Sequence, residues 1–205
     1  MDARTHLQSG LEQLQITLSE KQIEQILTYL ELIQVWNKAY NLVGTSDSKE
    51  LIQKHILDSL AIVSHVTKGP VLDVGSGAGL PGIPLAIALP DISFTLLDSN
   101  GKKARFMRQV IMQLKLGNVD IVQTRIEQFT AKSLPNTVIS RAFAPLDKAL
   151  SLLSEVCAPQ GCVQIMLGIS PQNLPQCDNV GHIEIMPISV PGLDSHRHLL
   201  IAQRY

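Results

Sequence analysis

The residues best placed to do chemistry lie where two predicted strands end. An apolar segment, Val71–Val74, runs directly into a glycine turn, Gly-Ser-Gly-Ala-Gly, at residues 75–79, and Asp98 closes the next apolar segment. Glycine after a strand lets backbone N–H groups approach a ligand closely. A carboxylate at the end of the following strand can accept hydrogen bonds from a ribose diol. Together the two stretches predict a site for a cofactor that carries a nucleoside.

The glycine spacing separates two classes of cofactor. A dinucleotide fingerprint, Gly-x-Gly-x-x-Gly, would place glycine at position 80, where this chain has Leu80. The third glycine comes one residue earlier, and an acidic residue two positions before the first glycine can reach a cationic or amino group. This pattern favours S-adenosylmethionine (AdoMet) over NAD. The predicted cofactor contacts are Asp73, Gly75, Gly77, Gly79 and Asp98.

Structural interpretations of the same residues stay open. The glycine turn can serve strand–helix packing alone, and Asp98 can cap the helix that follows it. Asn100 can serve as that cap instead, which leaves Asp98 free for a ligand.

Composition narrows the class of protein. The chain has 205 residues, of which 45% are hydrophobic, and its 17 basic and 18 acidic residues leave a net charge of −1. The length predicts one domain, and the charge balance predicts no general attraction to polyanions. No apolar run approaches the ~18 residues that span a bilayer, and the N-terminus lacks a signal-peptide pattern. We expect a cytoplasmic protein without a membrane partner, and the three cysteines, whose spacing fits no zinc motif, predict no metal site.

A local basic run departs from the overall charge balance. It has no acidic residue within it and comprises Lys102, Lys103, Arg105 and Arg108. A solvated helix face and a phosphate-binding surface are both consistent with this run.

Hydrophobic periodicity predicts a helical N-terminal region followed by alternating strands and helices. Up to residue 68, capping signals at Ser19 and Asp47 precede apolar residues at helical spacing. Beyond it, strands are predicted at 71–74, 93–98, 119–122, 137–141 and 162–167, and helices near 82–89, 100–116 and 146–157. Gly117 is predicted to end the second of these helices. Two β-rich runs, 182–186 and 198–203, predict an antiparallel pair at the sheet edge.

This order predicts an α/β fold with a doubly wound, mostly parallel sheet. A helical cap is expected over residues 1–68 and a sheet domain over 69–205, packed as one compact unit. Ligands of such sheets bind beyond the carboxyl ends of the strands. That rim should carry the glycine turn, Asp98, residues 125–127 and Arg141.

Longer motifs across nearly the whole chain resemble one family. They are Leu72–Leu85 with its Gly-Leu-Pro-Gly-Ile-Pro extension, Trp36–Leu42, His55–Leu60, Leu96–Ser99 followed by Lys102 and Lys103, and Ser140–Ala142. In type and order they resemble the glucose-inhibited division protein B family, the bacterial 16S ribosomal RNA guanine-N7 methyltransferases. The resemblance implies a Rossmann-like, seven-stranded class I AdoMet-dependent methyltransferase fold with an N-terminal helical cap.

The resemblance also implies the reaction and its contacts. AdoMet contacts would fall on Gly75, Leu80, Ile126, Glu127 and Arg141, with Glu127 accepting from the adenine amino group. For Leu80 the alternative is core packing, and for Glu127 an ordinary loop carboxylate. The methyl acceptor would be 16S ribosomal RNA or the small ribosomal subunit, and we expect a monomer. A methyltransferase with another substrate and a non-catalytic AdoMet-binding ribosome-assembly protein are the alternatives.

Arg141 is the predicted catalytic residue, in the sense of positioning substrate or cofactor. Guanine N7 has a free lone pair, so no general base is expected and catalysis would come from orientation and electrostatics. The alternative is a salt bridge from Arg141 to Asp98 or Asp147, because a charge ending an apolar strand needs a partner. His55 and Asp58, three residues apart, either approach this site or tie the cap to the sheet.

RNA contacts are predicted from basic side chains. The candidates are Lys102, Lys103, Arg105, Arg108 and Arg197. Leu167 and Gln203 stand where the family tends to have lysine, so the resemblance implies a somewhat different basic set in this chain.

Overall fold

The computed structural model describes residues 2–141 and 143–205. Met1 and Ala142, the last residue of the Ser140–Ala142 motif, lie outside the described residues. The described chain forms a seven-stranded sheet in the order β3-β2-β1-β4-β5-β7-β6. The strands are β1 (Val71–Val74), β2 (Phe94–Leu97), β3 (Val119–Val122), β4 (Thr137–Arg141), β5 (Cys162–Leu167), β6 (Val180–Ile188) and β7 (Arg197–Arg204).

Strands β1 to β5 are parallel, and β7 runs antiparallel between β5 and β6. The chain order reverses between β1 and β4, where a doubly wound sheet opens a crevice for ligands. The predicted class I methyltransferase fold and the antiparallel pair at the edge are confirmed. Four predicted strands, 71–74, 119–122, 137–141 and 162–167, match the observed bounds of β1, β3, β4 and β5.

Helices cover both faces of the sheet. In the N-terminal region they are α1 (Ala3–Gln13), α2 (Glu20–Tyr40), α3 (Ser48–Leu51) and α4 (Asp58–Leu60), and in the sheet region α5 (Gly82–Ala88), α6 (Gly101–Leu114) and α7 (Leu146–Glu155). The predicted capping signals are present: Ser19 and Gln22 form a reciprocal capping box at α2, and Asp47 caps α3. Helix α6 ends at Lys115, which adopts a left-handed conformation with φ 54°. The prediction that Gly117 ends it is therefore wrong.

A π-helical segment, Ile52–Leu57, joins α3 to α4. Sequence periodicity predicted a helix here but not its wider turn. π-Helical turns inside α-helices are rare overall, but those that occur are often found at functional sites. Asp58, the first residue after this segment, is buried.

Alternating side chains of β1 divide the apolar core into two layers. Val71 packs with α5, α6 and the N-terminal helices, whereas Leu72 and Val74 pack with α7 on the opposite face. Apolar side chains of residues 7–66 belong to the first layer, so the N-terminal helices share their core with the sheet. Within this layer Trp36 of α2 meets Phe106 of α6 edge-on at 5.4 Å between ring centroids.

The N-terminal helices also contact the glycine turn directly. The hydroxyl of Tyr29, which is fully buried in α2, donates to the Ala78 carbonyl at 2.6 Å. Burial raises the pKa of Tyr29 well above its ordinary value, so the hydroxyl remains a donor. The cap therefore holds the glycine turn through a direct hydrogen bond.

Candidate active site

The glycine turn needs its glycines for backbone conformation. Gly75, Gly77 and Gly79 have φ values of 71°, 60° and 90°, in the left-handed region that side-chain-bearing residues disfavour. The N–H of Gly75 donates to the Leu97 carbonyl at 2.8 Å, which ties the turn to β2. A Cβ atom at Gly79 would lie 2.2 Å from Ile83 Cδ1, so packing against α5 also requires glycine there.

Asp98 closes the turn through its carboxylate. Its Oδ2 accepts from the Gly77 N–H at 2.8 Å, and its Oδ1 accepts from the Asn100 N–H at 2.8 Å. The Asn100 side chain caps α6 by accepting from the N–H groups of Lys102 and Lys103. Because each carboxylate oxygen has two lone pairs, Asp98 keeps acceptor capacity toward a ligand.

Asp73 lies beneath the turn and faces the core. Its fully buried Oδ2 accepts from the Gly82 N–H at 2.9 Å at the start of α5. Burial raises the pKa of Asp73 to about 7. A Cβ atom at Gly82 would lie 2.7 Å from Asp73 Oδ2 and 2.2 Å from Leu96 Cδ2. This contact gives a physical reason for glycine at position 82, within the extended motif, and it makes Asp73 a brace for α5.

A first cavity of about 370 Å³ opens beyond the carboxyl ends of β1, β2 and β3. It brings together four of the predicted cofactor residues, which are Gly75, Asp98, Ile126 and Glu127. Its lining combines the buried Ile126 and Asp98, the exposed Glu127 and apolar side chains that follow β4 or lie in α7. The other lining residues are Leu97, Ser99, Lys103, Thr124, Arg125, Phe143, Ala144, Lys148 and Leu152.

Five predicted cofactor residues do not line this cavity. Asp73 and Leu80 are buried in the core, which is the structural interpretation that was open for Leu80. Gly77 and Gly79 shape the turn that carries Gly75, and Gly77 contacts Asp98 directly. Arg141 lies in a neighbouring cavity.

That second cavity, of about 390 Å³, opens beyond the ends of β4 and β5. Phe143 and Ala144 line both cavities, so the two are separated by a single aromatic wall. A Cβ atom at Gly75 would lie 2.9 Å from Phe143 Cδ2, so the glycine turn sets the position of that wall. The remaining lining residues are Asp58, Ser140, Arg141, Leu146, Ala149, Ile165, Met166, Leu167, Gly168 and Arg197.

Asp58 organises the charges of the second cavity. Its Oδ2 accepts from Arg141 Nη1 at 3.0 Å, and its Oδ1 accepts from Arg197 Nε at 3.0 Å. The expected alternative partners of Arg141, Asp98 and Asp147, are therefore wrong. Asp58 links the cap to the sheet through these two arginines, and it also lines the second cavity beside Arg141. The two interpretations of Asp58, a structural link and a site residue, are therefore compatible.

His55 lies one turn before Asp58 and is half-buried. Burial lowers the pKa of His55 to about 4, and the nearby Arg141 charge acts in the same direction. Its Nδ1 has no hydrogen-bond partner among the described residues. The side chain is thus neutral around pH 7 and adds no charge to the second cavity.

The basic run of α6 divides into two parts. Lys102, Arg105 and Arg108 are exposed on one face, whereas Lys103 lines the first cavity. Lys102 Nζ lies 5.7 Å from the centroid of the Tyr40 ring, a cation–π distance. The run therefore forms a basic surface beside the first cavity. Arg197, also a predicted RNA contact, belongs instead to the Asp58 cluster.

Sequence reasoning missed several lining residues. Phe143 follows the end of β4 and Thr124 follows β3, both at the rim where ligands bind, whereas Lys148 lies in the first turn of α7. For Phe143 and Thr124, the position after a strand end was the available signal. Leu167, at a family lysine position, lines the second cavity, and Gln203 donates to the Gln160 carbonyl at 2.7 Å.

Across residues 2–141 and 143–205, no cluster of three His, Cys, Asp or Glu side chains is placed to hold a metal ion. In the same part of the chain, no helix combines the length and apolar character that crossing a membrane requires.

Known methyltransferases are similar to this chain in sequence and in fold. The model of the GidB family, rRNA small subunit methyltransferase G, matches residues 22–199. Ribosomal RNA small subunit methyltransferase G of Nitrosococcus oceani is 43% identical over 198 residues, which are 95% of this chain and 92% of that protein. The protein of the same name from Idiomarina loihiensis is 44% identical over an alignment of 205 positions, which covers 98% of this chain and 98% of that protein.

Among solved structures, the fold is similar to that of magnesium protoporphyrin IX methyltransferase from Synechocystis PCC 6803, which was crystallised with bound SAM. The TM-score is 0.57 and the sequence identity is 17%, with 86% of this chain and 97% of that chain covered. At this identity the likeness shows the fold, the class I methyltransferase sheet.

Proposed function

The chain belongs to the rRNA small subunit methyltransferase G (GidB) family, and from this premise we propose that it transfers the methyl group of AdoMet to N7 of a guanine in 16S ribosomal RNA. The observation that carries the proposal is the pair of cavities that share the Phe143 wall. One is suited to a nucleoside with a diol, and the other offers arginine donors to a base.

The residues of the first cavity fit AdoMet. The Asp98 carboxylate has acceptor capacity for a ribose diol, and Ile126 offers an apolar face to the adenine. Glu127 is exposed at the same edge and can accept from the adenine amino group. The methionine end would follow Gly75, where a side chain would displace Phe143. When bound, AdoMet supplies an electrophilic methyl group on a sulfonium centre.

The residues of the second cavity fit a purine with a free N7. Among the described residues of its lining, Asp58 is the only carboxylate, and both its oxygens already accept from arginines. Guanine N7 needs no proton removal, so this lining suits it. Phe143 provides an aromatic face for a base that has left its stack. Arg141 would position the guanine by donating to O6, which leaves the N7 lone pair directed at the methyl group.

RNA phosphates would bind the exposed face of α6. Lys102, Arg105 and Arg108 lie on this face, and Lys103 leads from it into the first cavity. Such contacts supply affinity that does not depend on sequence and that falls with salt. We place the reaction on the small ribosomal subunit or its RNA in the cytoplasm. We also propose that the enzyme acts as a monomer, with the cap of residues 1–68 and the sheet region of residues 69–205 forming one unit.

The test is transfer of radiolabelled methyl groups to small ribosomal subunits from cells that lack the enzyme. We expect label in 16S RNA, with 7-methylguanosine as the labelled nucleoside after digestion. Parallel calorimetric titrations should give binding of AdoMet and none of NAD. AdoMet binding without label in 16S RNA would contradict the proposed substrate, and the absence of AdoMet binding would contradict the proposed cofactor.

A further inference from the structure

One buried carboxylate in the second cavity serves two cations. Asp58 has a side chain that is 4% exposed, and it receives Arg141 from β4 and Arg197 from β7. The arginine side chains are 21% and 25% exposed, so both reach the solvent side of the cavity. One negative charge against two positive charges leaves a net positive charge beside the Phe143 wall.

The helix that carries Asp58 presents two acceptors to the same arginine. Arg141 Nη1 donates to Asp58 Oδ2 at 3.0 Å, and it also approaches the Lys54 carbonyl at 3.4 Å, inside the π-helical segment. The Ser59 hydroxyl donates to the His55 carbonyl at 2.6 Å in the next turn. The wide turn thus fixes the arginine against backbone and carboxylate together.

Arg197 is held in a similar way from the opposite side. Its Nε donates to Asp58 Oδ1, and its Nη1 donates to the Ser195 hydroxyl at 2.9 Å and the His196 carbonyl at 3.0 Å. A guanidinium has five N–H donors. Arg141 therefore keeps the donors of Nε and Nη2, and Arg197 keeps those of Nη2, without a partner among the described residues. Two fixed guanidinium groups with spare donors line a cavity of the size that holds a small ligand.

We propose that Asp58 is a positioning residue for the methyl acceptor. It holds Arg141 and Arg197 side by side so that their spare N–H groups donate to O6 of the target guanine and to the phosphate next to it. This inference rests on the function proposed above. It makes the N-terminal helical cap a part of the acceptor site, because Asp58 comes from the cap and both arginines come from the sheet.

Charge balance supports positioning rather than stability as the role of this cluster. Buried ion pairs lose much of their attraction to desolvation, and apolar replacements are often equally stable. A second guanidinium on the same carboxylate adds repulsion between cations, which folding alone does not require. A nucleotide with one negative charge that enters the cavity would neutralise the excess positive charge of the two arginines. The arrangement is therefore preorganised for an acceptor that brings oxygen atoms and negative charge.

The test compares Asp58→Asn with Glu50→Gln. The control also removes a carboxylate from an ion pair on the same helical stretch, because Glu50 pairs with Lys54, but it lies outside both cavities. Rates of methyl transfer to undermethylated small subunits are normalised to AdoMet-binding sites counted by calorimetry. We expect Asp58→Asn to lower kcat at least ~10-fold, since misplacement of positioning groups has effects of this order. AdoMet affinity should be unchanged, and Glu50→Gln should match the wild type.

Several results would overturn the inference. Wild-type kcat in Asp58→Asn would do so, as would a loss of AdoMet affinity in parallel with activity, since that indicates general disruption. If Asp58→Asn does not fold, Arg197→Lys replaces it, because lysine keeps the charge but cannot reproduce the Nε bond to Asp58. We expect the same selective loss of kcat from this variant, and full activity would count against the role.

A measurement without substrate separates this inference from the proposed function. The Arg197 Nε–H signal in nitrogen-15 NMR spectra should exchange slowly in the wild type and rapidly in Asp58→Asn. A rapidly exchanging signal in the wild type would contradict the Asp58 arrangement, whatever the enzyme methylates. Slow exchange together with no methyl transfer to 16S RNA would instead contradict the proposed substrate.

Discussion

The two cavities are built in different ways, although they share a wall. The first is lined by Gly75 of the glycine turn, by residues at the ends of β2 and β3, and by residues that follow β4 or lie in α7. The second depends on Asp58, whose arginine partners are 83 and 139 residues away in sequence. Backbone conformation fixes the first, and long-range ion pairing fixes the second. Substitutions should therefore affect cofactor binding and acceptor positioning separately.

The largest separate effect is expected at Asp98. In Asp98→Asn, one amide oxygen replaces two carboxylate oxygens that accept from Gly77 and Asn100, so the turn loses an acceptor and the ribose loses its charged partner. Hydrogen bonds to charged groups are worth about 1.5–3 kcal/mol, so AdoMet affinity should fall roughly 10–100-fold. Calorimetric titration measures this change. Asp120→Asn, which alters an exposed carboxylate on the neighbouring strand, serves as the control.

A smaller loss of cofactor affinity is expected from Gly75→Ala. Alanine at a φ of 71° costs roughly 1–2 kcal/mol, and its Cβ atom would meet Phe143 Cδ2 at 2.9 Å. AdoMet affinity should fall about 10-fold as the shared wall shifts. Gly44→Ala is the matched control, because a Cβ atom there has no neighbour within 4 Å. Equal affinities of the two variants would mean that the turn tolerates a side chain.

The pH dependence of folding stability should distinguish Asp73, which braces α5 under the first cavity, from His55, which lies in the π-helical segment beside the second. Burial raises the pKa of Asp73 from 3.8 to about 7, so the folded state holds a proton that the unfolded state releases. Stability from this residue falls as pH rises between these values, with a slope of at most ~1.4 kcal/mol per pH unit. Asp73→Asn, which keeps an acceptor for Gly82, should remove this fall in urea titrations between pH 4 and 7.

His55 should act in the opposite direction in an overlapping range. Burial lowers the pKa of His55 from 6.5 to about 4, so the unfolded state binds the extra proton. Its contribution to stability rises with pH between these values. His55→Gln should therefore make the fall caused by Asp73 steeper, measured by the same urea titrations. A pH-independent difference between either variant and the wild type would contradict its pKa shift.

The smallest effects are expected on the basic surface of α6, which lies beside the first cavity. Arg105→Gln and Arg108→Gln should each weaken binding to small subunits, and each should lower the slope of log affinity against log salt by about 1. AdoMet affinity should stay the same, because neither residue lines a cavity. Lys21→Gln, which removes a positive charge beside the N-terminal ends of the strands, is the control. Unchanged salt slopes would identify the run as a solvated helix face.

The sequence predicted four lining residues of the first cavity, Gly75 and Asp98 from local patterns and Ile126 and Glu127 through the family resemblance. The strand bounds of β1 and the glycine turn follow from contiguous residues, and Asn100 was identified as the alternative cap that leaves Asp98 free. Asp73 was assigned to the ligand, yet it shares a face with Val71 in β1 and so points into the core. The alternation of side chains along a strand was a signal for that direction.

The second cavity could not be predicted in the same way. No local pattern links Asp58 to Arg141 or Arg197, since only the folded topology brings them together. The π-helical segment that precedes Asp58 also has no recognisable periodicity in the sequence. The helix end predicted at Gly117 was wrong because glycine commonly takes the left-handed position after a helix, whereas here Lys115 takes that position at the end of α6.

Arg141 gives the most direct test of the division between the cavities, since it was predicted for both cofactor and acceptor and lines only the second. The measurement is AdoMet affinity of Arg141→Ala by calorimetry, beside its rate of methyl transfer to undermethylated small subunits. We expect wild-type affinity with a rate lowered at least ~10-fold, as for a lost positioning group. A parallel loss of AdoMet affinity would place Arg141 with the cofactor and contradict the division, and unchanged values in both assays would end its proposed role.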